Sequence, residues 1–154
     1  MSHLKPGDAA PLFTALDQNG NPFSLESLRG KKVILYFYPK DDTPGCTAES
    51  CDLRDNYEAW LAKGFEVVGV SSDGPASHLK FIGKYNLPFS LIADTDKAVH
   101  ELYGTWVEKS MYGRKYMGTA RETFVLDEQG VLLSVFEKVN TKAHSEQIAA
   151  ALAE

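Results

Sequence analysis

Val33-Ile34-Leu35-Tyr36-Phe37-Tyr38-Pro39-Lys40-Asp41-Asp42-Thr43-Pro44-Gly45-Cys46-Thr47-Ala48-Glu49-Ser50-Cys51 runs from an unbroken apolar stretch through a proline-punctuated loop into a helix-forming segment. The first part is β-branched at its start, aromatic at its end and stopped by Pro39, which is the pattern of a strand covered on both faces. It is the expected central strand. Phe65-Glu66-Val67-Val68-Gly69-Val70-Ser71 reads the same way, and the interval between the two is long enough for a crossover helix. That makes a βαβ unit with parallel strands.

Working outward, Phe13-Thr14-Ala15-Leu16 and Phe23-Ser24-Leu25 flank Asp17-Gln18-Asn19-Gly20-Asn21, whose Asn-Gly pair supplies the positive φ angles of a hairpin turn. A helix is predicted from about Ala76 to Tyr85, a short strand over Ser90–Ala93, and a short helix from Asp96 or Lys97 to Tyr103. Thr105-Trp106-Val107 to Gly118 reads as an irregular, glycine-punctuated loop. Thr123–Leu126 and Val131–Phe136 around Asp127-Glu128-Gln129-Gly130 form a predicted antiparallel hairpin, and Ala143–Ala153 a final alanine-rich helix. The order βαβ, α, ββα is that of an α/β protein with a thioredoxin-like fold: a central mixed sheet flanked by helices, here with an N-terminal hairpin extension. With 154 residues and no linker or repeat, residues 1–154 are expected to form a single domain.

The formal charge of −5 argues against a grip on phosphate backbones, so nucleic acid is not an expected partner. No apolar run approaches the ~20 residues needed to cross a bilayer. The start, Met1-Ser2-His3-Leu4-Lys5-Pro6-Gly7, lacks the features of a secretory signal. A cytoplasmic protein with no membrane partner is expected. Two cysteines are too few for a disulfide framework, which leaves redox chemistry or simple burial for Cys46 and Cys51.

The helix after the central strand has a well-marked start. Thr43 suits the N-cap and Pro44 the first helical position, so Cys46 falls in the first turn. Free amides and the positive end of the helix dipole favour an anion there, and Cys46 is expected to ionise more readily than an ordinary thiol. A thiol with pKa near 8.5 is about 3% thiolate at neutral pH, and one near 6 is about 90%, a gain of roughly thirtyfold or on the order of 2 kcal/mol. That is small beside the ~8 kcal/mol or more that enzymes supply, so donors aimed at a leaving oxygen must do the rest. On a helical wheel Cys46 shares a face with Leu53, Tyr57, Trp60 and Leu61, while Cys51 lies near Asp55 and Glu58 on the polar side. Five residues of ideal helix separate their Cα atoms by roughly 8 to 9 Å, beyond the ~7 Å limit for a disulfide. If the two cysteines bond, the first turns must unwind.

Pro39, Thr43 and Cys46 match a proline, three residues, a threonine or serine, two residues and a cysteine. In this the sequence resembles the peroxiredoxins, and Asp42-Thr43-Pro44-Gly45-Cys46-Thr47 with a second cysteine five positions on is similar to the Q subgroup, the bacterioferritin comigratory proteins. The resemblance extends from the N-terminal hairpin to Glu122-Thr123-Phe124-Val125-Leu126-Asp127. It implies a thiol peroxidase for hydrogen peroxide and organic hydroperoxides, with Cys46 as the nucleophile oxidised to sulfenic acid and Cys51 as the resolving thiol. It further implies that Thr43 hydrogen-bonds peroxide or thiolate, Pro39 shields the thiolate, Arg121 is the active-site arginine and Glu49 orients it. Thioredoxin or a similar dithiol protein would reduce the disulfide, with no metal, haem or flavin cofactor, and the subgroup's habit points to a monomer.

Other readings stand beside this one. Pro39 can simply end a strand, Thr43 cap a helix, Glu49 complement a dipole and Arg121 lie exposed at a strand start. A thiol–disulfide exchange protein on the same fold favours cysteines two residues apart, unlike the spacing here. A redox-sensing interaction protein would use the same unwinding to signal. The cysteine spacing is not that of a zinc site, and His3, His78, His100 and His144 are scattered, so the histidines receive no role. Tyr36, Phe37, Tyr57 and Trp60 read as core, with Tyr38 a candidate lining residue.

Overall fold

In the computed structural model, which describes residues 3–153, the apolar run is strand β3, Lys32–Phe37, and Tyr38 extends its ladder by donating its N–H to the Val70 carbonyl at 3.0 Å. Before it lie β1 (Thr14–Leu16) and β2 (Pro22–Ser24); after it come α1 (Pro44–Asp55), α2 (Tyr57–Ala62), β4 (Phe65–Ser71), α3 (Pro75–Tyr85), β5 (Ser90–Ala93) and α4 (Ala98–Tyr103). The rest is β6 (Trp106–Met111), β7 (Arg114–Thr119), β8 (Glu122–Leu126), β9 (Leu132–Phe136) and α5 (His144–Leu152).

Seven strands form one sheet in the order β2-β1-β5-β4-β3-β8-β9. β3 pairs parallel with β4 and antiparallel with β8, the parallel half meeting the antiparallel half along this one strand. Alternation along β3 divides the core. Val33, Leu35 and Phe37 pack with Val68, Ile92, Val99, Tyr103 and Phe124 on the α4 side. Ile34, Tyr36 and Tyr38 pack with Cys46, Leu53, Trp60, Phe81 and Ile148 on the side covered by α1, α2, α3 and α5. This is the mixed, helix-flanked sheet of a thioredoxin-like fold, and the N-terminal hairpin β1–β2 joins it at the β5 edge. Among the described residues no helix is long and apolar enough to cross a membrane.

Three expectations need correction. Residues 105–118 are not an irregular loop: β6 and β7 form an antiparallel hairpin running from Trp106 opposite Thr119 to Met111 opposite Arg114. Its two-residue turn, Tyr112-Gly113, has φ of 52° and 79°. Positive φ at both positions is the geometry of a type I′ turn, but a tyrosine at the first position hides that signal. The crossover helix is also not continuous, because Asn56 breaks it with φ −108° and ψ 7°. The Asn56 Nδ2 donates to the Asp52 carbonyl at 2.9 Å, a side-chain competitor for the helix's own acceptor. The break rotates α2, so Trp60 stays buried whereas Leu61, read as inward, is 43% exposed. Third, Tyr38 does not line an opening. It is fully buried, stacks on Tyr36 and donates its hydroxyl to Asp41 Oδ1 at 2.6 Å.

Gly69 has a steric role in β4. A Cβ there would stand 2.7 Å from Leu91 Cδ2 and 2.9 Å from Tyr36 Cζ, its neighbours on the flanking strands. Gly69→Ala is therefore expected to destabilise the protein by about 1–3 kcal/mol through overpacking. Urea unfolding checks this, and an unchanged midpoint would show that the sheet yields freely at this point.

Candidate active site

The β3–β8 register builds the site. Pairing of Phe37 with Glu122 brings Arg121, the residue just before β8, to the carboxyl end of β3, where the chain turns into α1. Residues 39–45 are thus placed opposite Arg121 although far from it in sequence.

Helix α1 starts as its sequence dictates, with Thr43 extended at the N-cap (φ −102°, ψ 156°) and Pro44 next. The Thr43 side chain does not cap the helix. Its Oγ1 donates to the Lys40 carbonyl at 2.8 Å, which uses the hydroxyl proton and leaves the oxygen lone pairs as acceptors. The loop before the helix is tied to α3. Asp41 Oδ2 accepts from Ser77 Oγ at 2.8 Å and lies 2.7 Å from His78 Nδ1; Asp42, at φ 57°, accepts from Lys84 Nζ and Tyr85 Oη, both at 2.8 Å. Arg54 near the other end of α1 donates to the Tyr85 carbonyl at 2.7 Å. α3 therefore holds α1 at both ends.

Cys46 lies in the first turn and is only 1% exposed. Arg121 Nη2 donates to its Sγ at 3.2 Å, and Arg121 Nη1 donates to Glu49 Oε1 at 2.8 Å. Glu49 stands one turn beyond Cys46 and is fully buried, while the arginine side chain keeps 24% of its exposure, leaving the site open on that side. Burial alone would lower the Arg121 pKa; the Cys46 sulfur and the Glu49 carboxyl outweigh it and hold the guanidinium charged. Gly45 makes room for this contact, since a Cβ there would lie 3.3 Å from Arg121 Nη2.

Burial pushes the Glu49 carboxyl up to about 7, against the opposing pull of Arg121 and with a further push from Asp52. Its second oxygen, Oε2, has no hydrogen-bond partner and lies 3.7 Å from His144 Nε2. Lys109 on β6 has its ammonium pKa lowered, first by burial and then by Arg121, while Cys46 pulls the other way. Alternation along β6 sets Lys109 on the same hairpin face as Val107 and, across the register, Gly118, a placement that no local sequence signal marks.

Cys51 is half-buried on α1, and both cysteines are free thiols. Burial raises its thiol pKa; Arg54 lowers it and Asp55 raises it further. Its neighbour Ser50 is buried and shares a 2.8 Å hydrogen bond with Tyr36 Oη, pinning this part of α1 to the core. Pro39 is half-buried where β3 leads into the loop. The structure thus brings Cys46, Glu49 and Arg121 into direct contact. Thr43 stands at the same helix end, and Cys51 lies about one and a half turns further along. His144, given no role from sequence, is buried behind Glu49 and bonded to Thr123, whose place on β8 next to Arg121 is fixed by the sheet register and is not marked by any local motif.

The chain matches the model of the AhpC/TSA family over residues 6–135. It is 47% identical over 145 residues to a putative peroxiredoxin bcp of Coxiella burnetii, covering 94% of this chain and 96% of that protein. To the peroxiredoxin Bcp of Escherichia coli it is 40% identical over 148 residues, 96% and 95% of the two chains. Among solved structures it superposes on a Xanthomonas campestris bacterioferritin comigratory protein with a TM-score of 0.86 at 32% identity, covering 95% of this chain and 98% of the other. A Xylella fastidiosa PrxQ variant gives a TM-score of 0.91 at 27% identity over the full length of both chains.

A second buried carboxyl offers a stability test away from Cys46. Glu122 is 2% exposed, its Oε1 has no partner, and burial, with Glu137 adding, raises it from an ordinary 4.5 to about 7. A carboxyl raised on folding adds stability that is full below the unfolded pKa and is lost as pH rises through the folded one. Wild-type stability relative to Glu122→Gln should therefore fall between about pH 4.5 and 7. Urea unfolding of both proteins across that range checks it, and a constant difference would contradict the raised value.

Proposed function

The chain belongs to the AhpC/TSA family, in the peroxiredoxin Q branch, and on that premise we propose that Cys46 attacks a hydroperoxide, that Cys51 resolves the product, and that thioredoxin or a similar dithiol protein restores both thiols. Membership makes the chain a thiol-dependent peroxidase. The observation that carries the site assignment is the single guanidinium donating to both Cys46 Sγ at 3.2 Å and Glu49 Oε1 at 2.8 Å.

Each step follows from a group in place. The Cys46 thiolate attacks the distal oxygen of ROOH, the S–O bond forms as the O–O bond breaks, and RO⁻ departs to take up a proton. Arg121 stabilises the anionic sulfur before attack and the negative charge spreading onto the leaving oxygen during it. The Thr43 proton is committed to the Lys40 carbonyl, so its oxygen is suited to accept the peroxide O–H and orient the distal oxygen toward sulfur. The first-turn amides, which have no intrahelical acceptors, add donors. Pro39 limits the approach of water from the loop side, and Glu49 is a positioning residue that holds the arginine in plane.

Cys46 sulfenic acid then reacts with the Cys51 sulfur, the S–S bond forming as water leaves. α1 is continuous from Pro44 to Asp55, so the ideal-helix separation of roughly 8 to 9 Å applies and the turns between the two sulfurs must open. Opening breaks the Ser50–Tyr36 hydrogen bond and takes Cys46 out of the core. The raised Cys51 pKa keeps it a thiol while the helix is folded, and exposure on unwinding relieves the burial that raises it. The dithiol reductant supplies two electrons and two protons, returning both cysteines to thiols.

Rapid-mixing kinetics with hydrogen peroxide and a thioredoxin system tests this assignment. Cys46→Ser should show no turnover. Cys51→Ser should be oxidised once and then stall, and Arg121→Ala should lose roughly 10²-fold or more in the oxidation step, as for removal of a positioned donor. Wild-type reactivity in Cys46→Ser would refute the assignment.

A further inference from the structure

We propose that Glu49 and Cys46 share one negative charge beside Arg121: Glu49 carries a proton on Oε2 while Cys46 is a thiolate, and gives it up when the thiolate is consumed. This rests on the peroxidase reading of Cys46 and adds a charge-balancing role to the positioning residue.

The hydrogen-bond pattern behind Glu49 leaves its Oε2 without a donor. Gln147 Nε2 donates to the Lys138 carbonyl at 2.7 Å, and Gln147 Oε1 accepts from the Asn140 N–H at 2.9 Å, which fixes the amide's orientation. Gln147 Oε1 also lies 2.9 Å from His144 Nδ1, so that nitrogen must be the donor. The neutral ring, favoured because burial lowers the His144 pKa, then has only a lone pair on Nε2. Nε2 lies 2.8 Å from Thr123 Oγ1 and accepts the hydroxyl proton. Glu49 Oε2 therefore faces an acceptor nitrogen at 3.7 Å and has no donor of its own. A carboxylate oxygen there is left unsatisfied, because the one Nε2 lone pair is taken by Thr123 and His144 has no proton to offer Glu49; a proton on Oε2 removes the buried charge that nothing on this side solvates.

The charges around Glu49 give the same result. Cys46 and Asp52 on α1, Tyr36 on β3, Arg121 before β8 and His144 on α5 are the titratable groups that face or couple to it. Arg121 is the cation in contact with both Cys46 and Glu49; Lys109 on β6 couples to Cys46 and Arg121 but hydrogen-bonds neither, and its ammonium form is disfavoured by burial and by Arg121. Two full anions on one guanidinium, with one of them wholly buried, would leave a buried charge without a cation of its own. One proton on Glu49 removes it, in keeping with a carboxyl displaced upward by burial.

The chemistry balances within the site. Cys46 thiolate, Glu49 carboxylic acid and ROOH give Cys46 sulfenic acid, Glu49 carboxylate and ROH. Sulfur loses its charge as oxygen bonds to it, the O–O bond breaks, and the alkoxide takes up a proton from solvent as Glu49 releases one. Arg121 faces one negative charge before and after, so it need not move when the thiolate disappears. The fully formed Glu49 carboxylate then carries the ion pair with the guanidinium by itself, and the neutral sulfenic sulfur, no longer bound by charge, is freer to leave toward Cys51.

Infrared difference spectroscopy reads the carboxyl directly. In a Cys51→Ser background, which halts the reaction at the sulfenic acid, one equivalent of hydrogen peroxide at pH 7 should remove one protonated-carboxyl C=O band and create one carboxylate signal. The same protein with Glu49→Gln, which keeps an acceptor for Arg121 Nη1 and cannot ionise, should lose no such band. An unchanged band in the parent, or a loss that persists in Glu49→Gln, overturns the proposal, provided mass spectrometry shows oxidised Cys46. Absence of oxidised Cys46 in both proteins would instead strike at the peroxidase reading.

Discussion

An intact first turn of α1 is the constraint on which this molecule depends. While Pro44 to Glu49 remain helical, Cys46 Sγ sits in the core with Arg121 donating to it at 3.2 Å. The same geometry keeps Cys51 on another face of the helix, out of bonding range. One segment therefore favours thiolate chemistry when folded and disulfide chemistry when opened. The cycle proposed here is an alternation between those states.

Much of the fold can be understood as holding that segment against the sheet. α3 binds the loop before α1 through Asp41 and Asp42 and receives Arg54 near its far end. Trp60 on α2 donates to Ser145 on α5 at 3.0 Å, and the Ser145 N–H donates to Asp52 Oδ2 at 2.7 Å, so α5 also bears on α1. The middle of the helix is held by less: the Ser50–Tyr36 hydrogen bond, the Glu49–Arg121 pair and the burial of Cys46 and Leu53. Neutral hydrogen bonds contribute about 1 kcal/mol each and a fully buried leucine about 1.5–3 kcal/mol. Those magnitudes permit local opening well short of global unfolding. In the proposed cycle they also make the oxidation of Cys46 consequential, since loss of a thiolate removes its attraction to Arg121.

The sequence shows the central strands, the N-terminal hairpin and the start of α1 because each rests on local chemistry: an apolar run ended by proline, an Asn-Gly turn, a threonine–proline helix start. Cys46 is legible for the same reason. Arg121 and Glu49 emerge from resemblance to the peroxiredoxins, since only the β3–β8 register brings them together and a register is not written in either residue. The β6–β7 hairpin was hidden by a tyrosine in left-handed conformation, and the helix break at Asn56 by a side-chain hydrogen bond that periodicity does not sense. His144 looked idle because its partners, Thr123 on β8 and Glu49 on α1, are distant in sequence.

The most direct measurement is hydrogen exchange across residues 44–55 in the reduced protein and in the peroxide-oxidised protein, with the Cys46–Cys51 bond established by mass spectrometry. The reduced protein should protect the α1 amides, and the disulfide form should exchange them far faster while β3 and β4 stay protected. A Cys46–Cys51 disulfide with unchanged protection through α1 would contradict the proposed cycle.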